Sequence, residues 1–290
     1  MSSISFAIVY SFLWLLGLFP FRCLYILSDI ITFFLRDVFK YRQQIILNNL
    51  RNSFPKKSDD EIKQIARKYY AHLSDTFVET IKLIHISESE MQKRCKYNNL
   101  TIVDELFAQK RSIVAVIGHY GNWEYMIGFP FFTKDNVLTL YKPLTNKKFN
   151  NFYIKLRSKF GVKPVSMKES YKKLMEYKQG NIPTITAFIS DQTPHKDEIQ
   201  YWTNFLNQDT AVFLGPEKIA KKLDFTVLYF QMRKVKRGFY EMDISTLTNN
   251  PKNTAEYEIT NLHVKKLEET IKLQPEYWLW SHRRWKTKKV

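Results

Sequence analysis

The chain of 290 residues is long enough for one large domain or one domain with an appendage, and at 44% apolar it has ample material for a core. Its 45 Lys and Arg against 28 Asp and Glu give a net charge of +17, a positive field that favours nucleic acid, anionic lipid or an acidic protein as partner without choosing among them. The two cysteines, Cys23 and Cys95, lie far apart and lack metal-ligand spacing, which excludes a disulfide framework or a cysteine zinc site and makes a reducing compartment the default.

Residues 2 to 21 carry no charged side chain, about the length needed to cross a bilayer core. No basic stretch precedes them and no small-residue cleavage site closes them, which argues against a cleaved signal peptide. Arg22, Arg36, Lys40 and Arg42 follow, and the positive-inside rule places the bulk of the chain in the cytoplasm. Pro20 and a second apolar stretch, "ILSDIITFFL", leave open a bent element lying in the membrane surface, and a buried helical hairpin is the bland alternative. Residues 1–40 are therefore expected to be a membrane-associated helical segment and 41–290 a catalytic domain.

From Tyr41 to Lys82 the pattern is helical, interrupted at "SFPKKSDDE", and Ser58 with Glu61 has the form of a capping box that starts a helix. Strand-type segments then appear at 112 to 117, at "NVLTLY" from 136, "IPTITAFI" from 182, "FTVLYFQM" from 225 and "FYEMDI" from 239. Helical patterns at 147 to 160, 168 to 178 and 215 to 223 separate several of them. The alternation predicts an α/β fold with a mixed, mostly parallel sheet flanked by helices. Between Tyr141 and Lys178 there are 11 basic residues against only Glu169 and Glu176, so about half the net charge sits in one segment.

Chemistry concentrates where the apolar run Ile113 to Ile117 ends in Gly118, His119, Tyr120, Gly121, Asn122, Trp123 and Glu124. A run of this kind is a strand buried on both faces, and ligands of open α/β sheets bind at the carboxyl ends of strands. A histidine with a carboxylate in reach is a general base: one ring nitrogen takes a proton while the other donates to the acid, fixing tautomer and orientation. Glu124, in the first turn of the helix that follows, is the expected carboxylate. Gly121 lets backbone approach a substrate, and free N–H groups at the helix start suit an oxyanion. No G-x-S-x-G occurs, and none is needed. Asp191 and Gln192 also follow an apolar run and so share a rim with His119.

The chain resembles the late lipid A acyltransferases, the lauroyl and myristoyl transferases of the lysophospholipid acyltransferase superfamily. Its H-x4-D/E motif is His119-Tyr-Gly-Asn-Trp-Glu124, and "YRQQIILNNLRNSFP" from 41, "YKPLTN" from 141, "SDQTP" from 190 and "PEYWLWSHRRWK" from 275 follow the family's order nearly end to end. Two blocks depart: the usual Tyr-Arg-Pro reads Tyr141-Lys142-Pro143, and "SDQTP" lacks the aromatic and glycine that often follow the Asp-Gln or Asp-His pair. The resemblance implies transfer of a fatty acyl chain from acyl carrier protein to a hydroxyl of a lipid A precursor at the cytoplasmic face of the inner membrane, with no covalent enzyme intermediate. His119 is the implied base, held by Glu124. Asn122, Lys142, Arg157, Asp191 and Gln192 are the expected substrate contacts, Arg157 because a guanidinium matches phosphate bidentately. His282, Arg283 and Arg284 are implied to be structural or to bind lipid phosphate. The acidic carrier and a phosphorylated glycolipid both suit the basic segment 141 to 178. Neither a metal nor a cofactor is expected.

Two other readings remain at this stage. One is an acyltransferase of the same superfamily acting on a lysophospholipid or an aminolipid. The other is a membrane-tethered basic binding protein without catalysis; no helix-turn-helix, RNP-like or zinc-finger pattern supports nucleic-acid recognition.

Overall fold

A computed structural model of the chain describes residues 3–134 and 136–289. Pro20 cannot continue a helix, and it divides the uncharged N-terminus into α1 (Ser3–Leu18) and α2 (Phe21–Phe33), the latter running into a π-helical turn at Phe34–Val38. The uncharged stretch, whose residue 2 lies outside the described residues, is thus not one continuous helix. Among the described residues no helix is long and apolar enough to cross a membrane.

Next come α3 (Gln43–Ser53) and α4 (Asp59–Lys82), the second starting at the predicted capping box: Glu61 N–H donates to Ser58 Oγ at 3.3 Å and Ser58 N–H to Glu61 Oε2 at 2.8 Å. Helix α4 is the bed on which the N-terminal helices lie. Leu24, Ser28 and Thr32, one turn apart, are the buried face of α2, and Ser28 donates to Asp75 of α4 at 2.8 Å. The end of α1 is held by Lys82, whose Nζ donates to the carbonyls of Gly17 and Phe19 at 2.9 and 2.8 Å.

The rest of the chain alternates: α5 (Glu88–Arg94), β1 (Cys95–Asn98), α6 (Thr101–Ala108), β2 (Ile113–Ile117), a 3-10 helix Trp123–Phe132, β3 (Asn136–Tyr141), α7 (Lys147–Ser158), β4 (Lys163–Ser166), α8 (Ser170–Gln179), β5 (Thr184–Ile189), β6 (Trp202–Phe205), β7 (Gln208–Ala211), α9 (Gly215–Leu223), β8 (Thr226–Lys236), β9 (Phe239–Thr248) and α10 (Glu258–Leu273). The main sheet has the order β1-β9-β8-β2-β5-β3-β4, parallel throughout except between β8 and β9. The predicted α/β class and mostly parallel sheet are therefore correct. Strands β6 and β7 form a separate antiparallel pair. The sequence reading missed β1, β4, β6 and β7, each four residues long and too short to carry a period.

Strand β2 sits mid-sheet and explains its own composition. Ile113, Ala115 and Ile117 enter one apolar core and Val114 and Val116 the other, so every side chain of the strand is buried. Such a strand has no solvated face, and its carboxyl end is the first point at which polar chemistry can appear.

Candidate active site

Register brings the site together. In the parallel pair β2 and β5, Ile117 is level with Ile189. His119 and Asp191 each lie two residues further on, so they emerge side by side. His119 Nδ1 lies 2.5 Å from Asp191 Oδ1, and the His119 backbone N–H donates to Asp191 Oδ2 at 2.9 Å. The Trp278 indole N–H donates to the same oxygen at 2.8 Å. Burial alone raises a carboxyl pKa, but the His119 charge and these hydrogen bonds outweigh it and bring Asp191 down to about 2. Asp191 is thus an anion that fixes the hydrogen on Nδ1 and leaves Nε2 as the lone-pair nitrogen; the Gln192 side-chain amide donates to Nε2 at 3.2 Å.

The C-terminal segment locks this arrangement. Gly121 N–H donates to the Tyr277 carbonyl at 2.9 Å, Leu279 N–H to that of His119 at 3.2 Å, and Tyr120 and Trp278 form an antiparallel bridge. Gly121 sits at φ +61°, where a side chain would also strike Met232. The segment is secured from below by the block near residue 41: Arg42 donates to the Ser281 carbonyl at 2.8 Å and Asn49 to those of Trp280 and His282 at 2.9 and 3.0 Å. Two distant sequence blocks therefore meet to carry Trp278 to Asp191.

His119 Nε2 faces a pocket of about 490 Å³ between the rim of the sheet and α7. Ile117, Ile127, Leu138, Val162 and Ile189 line it deeply, while His119, Glu124, Lys142, Arg157 and Gln192 supply its polar groups. Glu124 does not hold the imidazole. It is bound by Arg157 of α7 through two bonds, Nη2 to Oε1 at 2.6 Å and Nε to Oε2 at 3.2 Å. Burial disfavours the Arg157 charge, yet Glu124 beside it raises its pKa overall, so the guanidinium stays charged. An apolar-walled cleft with an activated histidine at its mouth suits a long-chain acyl substrate and a hydroxyl acceptor.

The family model described as bacterial lipid A biosynthesis acyltransferase matches residues 2–287. The chain belongs to this family. It is an acyltransferase of lipid A biosynthesis. No curated protein matches it closely enough to count as a relative.

Within the acyltransferase, two expectations for site residues change. The partner of His119 is Asp191, because the chain turns into a 3-10 helix after Asn122 and aims Glu124 at α7. Asn122 is fully buried away from the pocket, where it donates to Glu79 of α4 at 2.7 Å; Tyr240 and Tyr25 donate to the same carboxyl at 2.9 and 3.0 Å. Burial raises the Glu79 pKa, and these donors hold the motif loop to α4 and α2. Arg284 is buried, which suits the structural one of its two expected roles and not lipid-phosphate binding from solvent. Of the basic residues, Lys159 is committed to the carbonyls of Leu83, Ile84 and Ile86, while Lys142, Lys147, Lys148 and Lys155 are exposed. Sequence reasoning did not assign Trp278 to the site or notice Glu79. The tryptophan-rich C-terminal block was the one available signal for the first, and nothing in spacing marks the second.

Proposed function

We propose that the protein transfers a fatty acyl group from a thioester of acyl carrier protein to a hydroxyl of a lipid A precursor, with His119 as general base oriented by Asp191. The acceptor hydroxyl displaces the Gln192 amide from His119 Nε2 and gives its proton to that nitrogen as its oxygen attacks the thioester carbonyl. The tetrahedral adduct expels the thiolate, which takes the proton back from Nε2. Asp191 keeps the ring in one tautomer and stabilises its charged form without itself being protonated. The observation that carries this reading is the part-buried His119–Asp191 pair, at 2.5 Å, opening on a pocket with apolar walls.

Glu124 and Arg157 form one wall of that pocket. Arg157 spends two of its N–H groups on Glu124 and has donors to spare for a phosphate or a developing oxyanion. The exposed Lys142, Lys147, Lys148 and Lys155 suit the acidic carrier. Membrane attachment is supported by the outward faces of α1 and α2, where Ile8, Phe12, Leu15, Ile26, Ile30 and Phe33 are all at least half exposed. Helix α1 lies beside α7 through edge-on ring contacts of Phe6 with Phe149 and Tyr10 with Phe152. A lipid acceptor in the cytoplasmic leaflet of the inner membrane therefore has a short path to the pocket.

The test is direct: purified protein, a carrier-bound acyl thioester and a lipid A precursor are incubated and the lipid is weighed by mass spectrometry. A mass gain of one acyl chain, absent with His119→Ala, is expected. Acylation of lysophospholipid or aminolipid but not of the lipid A precursor would assign another acceptor, and equal product from folded His119→Ala would refute the mechanism.

A further inference from the structure

Polar groups that the reaction leaves unused gather behind the dyad. Arg284 in the C-terminal turn, His263 on α10 and Ser190 just after β5 line, together with Asp191, a second and much smaller cavity of about 10 Å³. All are deeply buried, Arg284 at 3% and His263 at 4% exposure. Arg284 Nη2 donates to the Ala211 carbonyl at 2.7 Å. Its Nε and Nη1, with Ser190 Oγ and His263 Nε2, have no partner among the described residues.

Burial lowers the Arg284 pKa, only to about 10, so the guanidinium is charged at neutral pH, whereas burial brings His263 and His282 to about 4 and leaves both rings neutral. Tyr229, also facing the cavity, is kept protonated by burial. On the pocket side Glu124 and Arg157 cancel one another. Asp191 and Arg284 are then opposite charges across one small space, without a direct ion pair among the described residues. A buried guanidinium with unmet N–H groups is costly unless something polar meets them. The space is about what one water needs, and polar groups around it supply the partners that such a water takes.

We propose that a single buried water joins Arg284 to Asp191, and that this bridged ion pair makes Arg284 a positioning residue for the His119–Asp191 dyad. The water accepts from the guanidinium and donates to the carboxylate, with Ser190 and His263 completing its shell. It fixes the remaining face of Asp191, whose other contacts are His119 and Trp278. The inference rests on the catalytic reading above.

Arg284→Met, which keeps apolar bulk and removes the charge, should lower kcat by about 10-fold, the size usual for a partner once removed from the reacting group, with KM changed less than twofold. Arg284→Lys should recover most of the loss. In an Asp191→Asn background Arg284→Met should cost less than about twofold more, because the charge it serves is gone. A full further 10-fold loss in that background, or unchanged kcat in Arg284→Met, would overturn the assignment. Should the variant not fold, a high-resolution structure of the wild type decides: a water within hydrogen-bond distance of both Arg284 and Asp191 is expected, and a dry cavity refutes the bridge. His119→Ala run alongside separates the two claims, since its retained activity sinks the base itself, whereas its loss with normal Arg284→Met sinks this inference alone.

Discussion

Asp191 and Glu124 border the same histidine and are held in opposite ways. Asp191 is 4% exposed at its side chain, takes three hydrogen bonds from His119 and Trp278, and among the described residues has no cation in direct contact except the imidazole when protonated. Glu124, in the motif beside His119, is 11% exposed and bound to Arg157. The first carboxylate, which Arg284 reaches only through the proposed water, is in direct contact with the ring on which charge appears during the reaction and can compensate it there. The second already has its counter-charge, so it shapes the pocket and adds little at the imidazole. Position in space, set by strand register, outranks nearness in sequence.

The largest effect should come from removing what the two carboxylates border. His119→Ala is expected to reduce turnover at least ~10²-fold with the fold intact, since loss of a general base typically costs that much; turnover within a few-fold of wild type in a folded variant contradicts the account. Breaking the second pair is expected to act on binding. Arg157→Gln leaves Glu124 without its cation and should raise the acceptor KM by roughly 10-fold with a smaller change in kcat. A pure kcat loss would move Arg157 into the chemistry.

Much of this was legible beforehand. The apolar run before His119 and the largely apolar one before Asp191 announced two buried strands and hence a shared rim, and the capping box at Ser58 set the start of α4. Which carboxylate meets the imidazole was not legible, because it depends on β2 and β5 being neighbours level at Ile117 and Ile189. Asn122 and Glu124 are two residues apart, yet one points into the protein toward Glu79 and the other toward α7; the 3-10 turn decides this, and no periodicity encodes it. Trp278 reaches Asp191 only because the C-terminal segment bridges Tyr120.

Stability should sharpen the contrast between the packed interior and the wet pocket. Burial depresses His72 to about 3 and His263 and His282 to about 4. An unfolded histidine binds its proton near pH 6.5, so between there and pH 4 the unfolded state holds more protons and stability falls as pH falls. His72 and His263, both fully enclosed, each contribute on the order of 1.4 kcal/mol per pH unit in that window, and the partly solvated His282 contributes less. Thermal unfolding should show a steep loss of Tm from pH 6.5 to 4, flattened in His263→Gln, and a Tm flat across that range would contradict the burial. The smallest effect belongs to the outer charges: Lys147, Lys148 and Lys155 changed together to Gln should raise KM for the carrier-bound donor only a few-fold at low salt, a defect that shrinks as salt rises. An equal defect with a minimal thioester donor would direct this face to the phosphorylated acceptor instead.

The most direct measurement compares the two carboxylates by neutral isosteres, with kcat and KM determined for Asp191→Asn and Glu124→Gln in the same acyl-transfer assay. Asp191→Asn should lose at least ~10² in kcat with little change in KM, as the imidazole loses its orienting anion and its tautomer, and Glu124→Gln should lose less than about 10-fold in kcat. The reverse order, with Glu124→Gln the more severe in kcat, would contradict the assignment of Asp191 as the partner of His119.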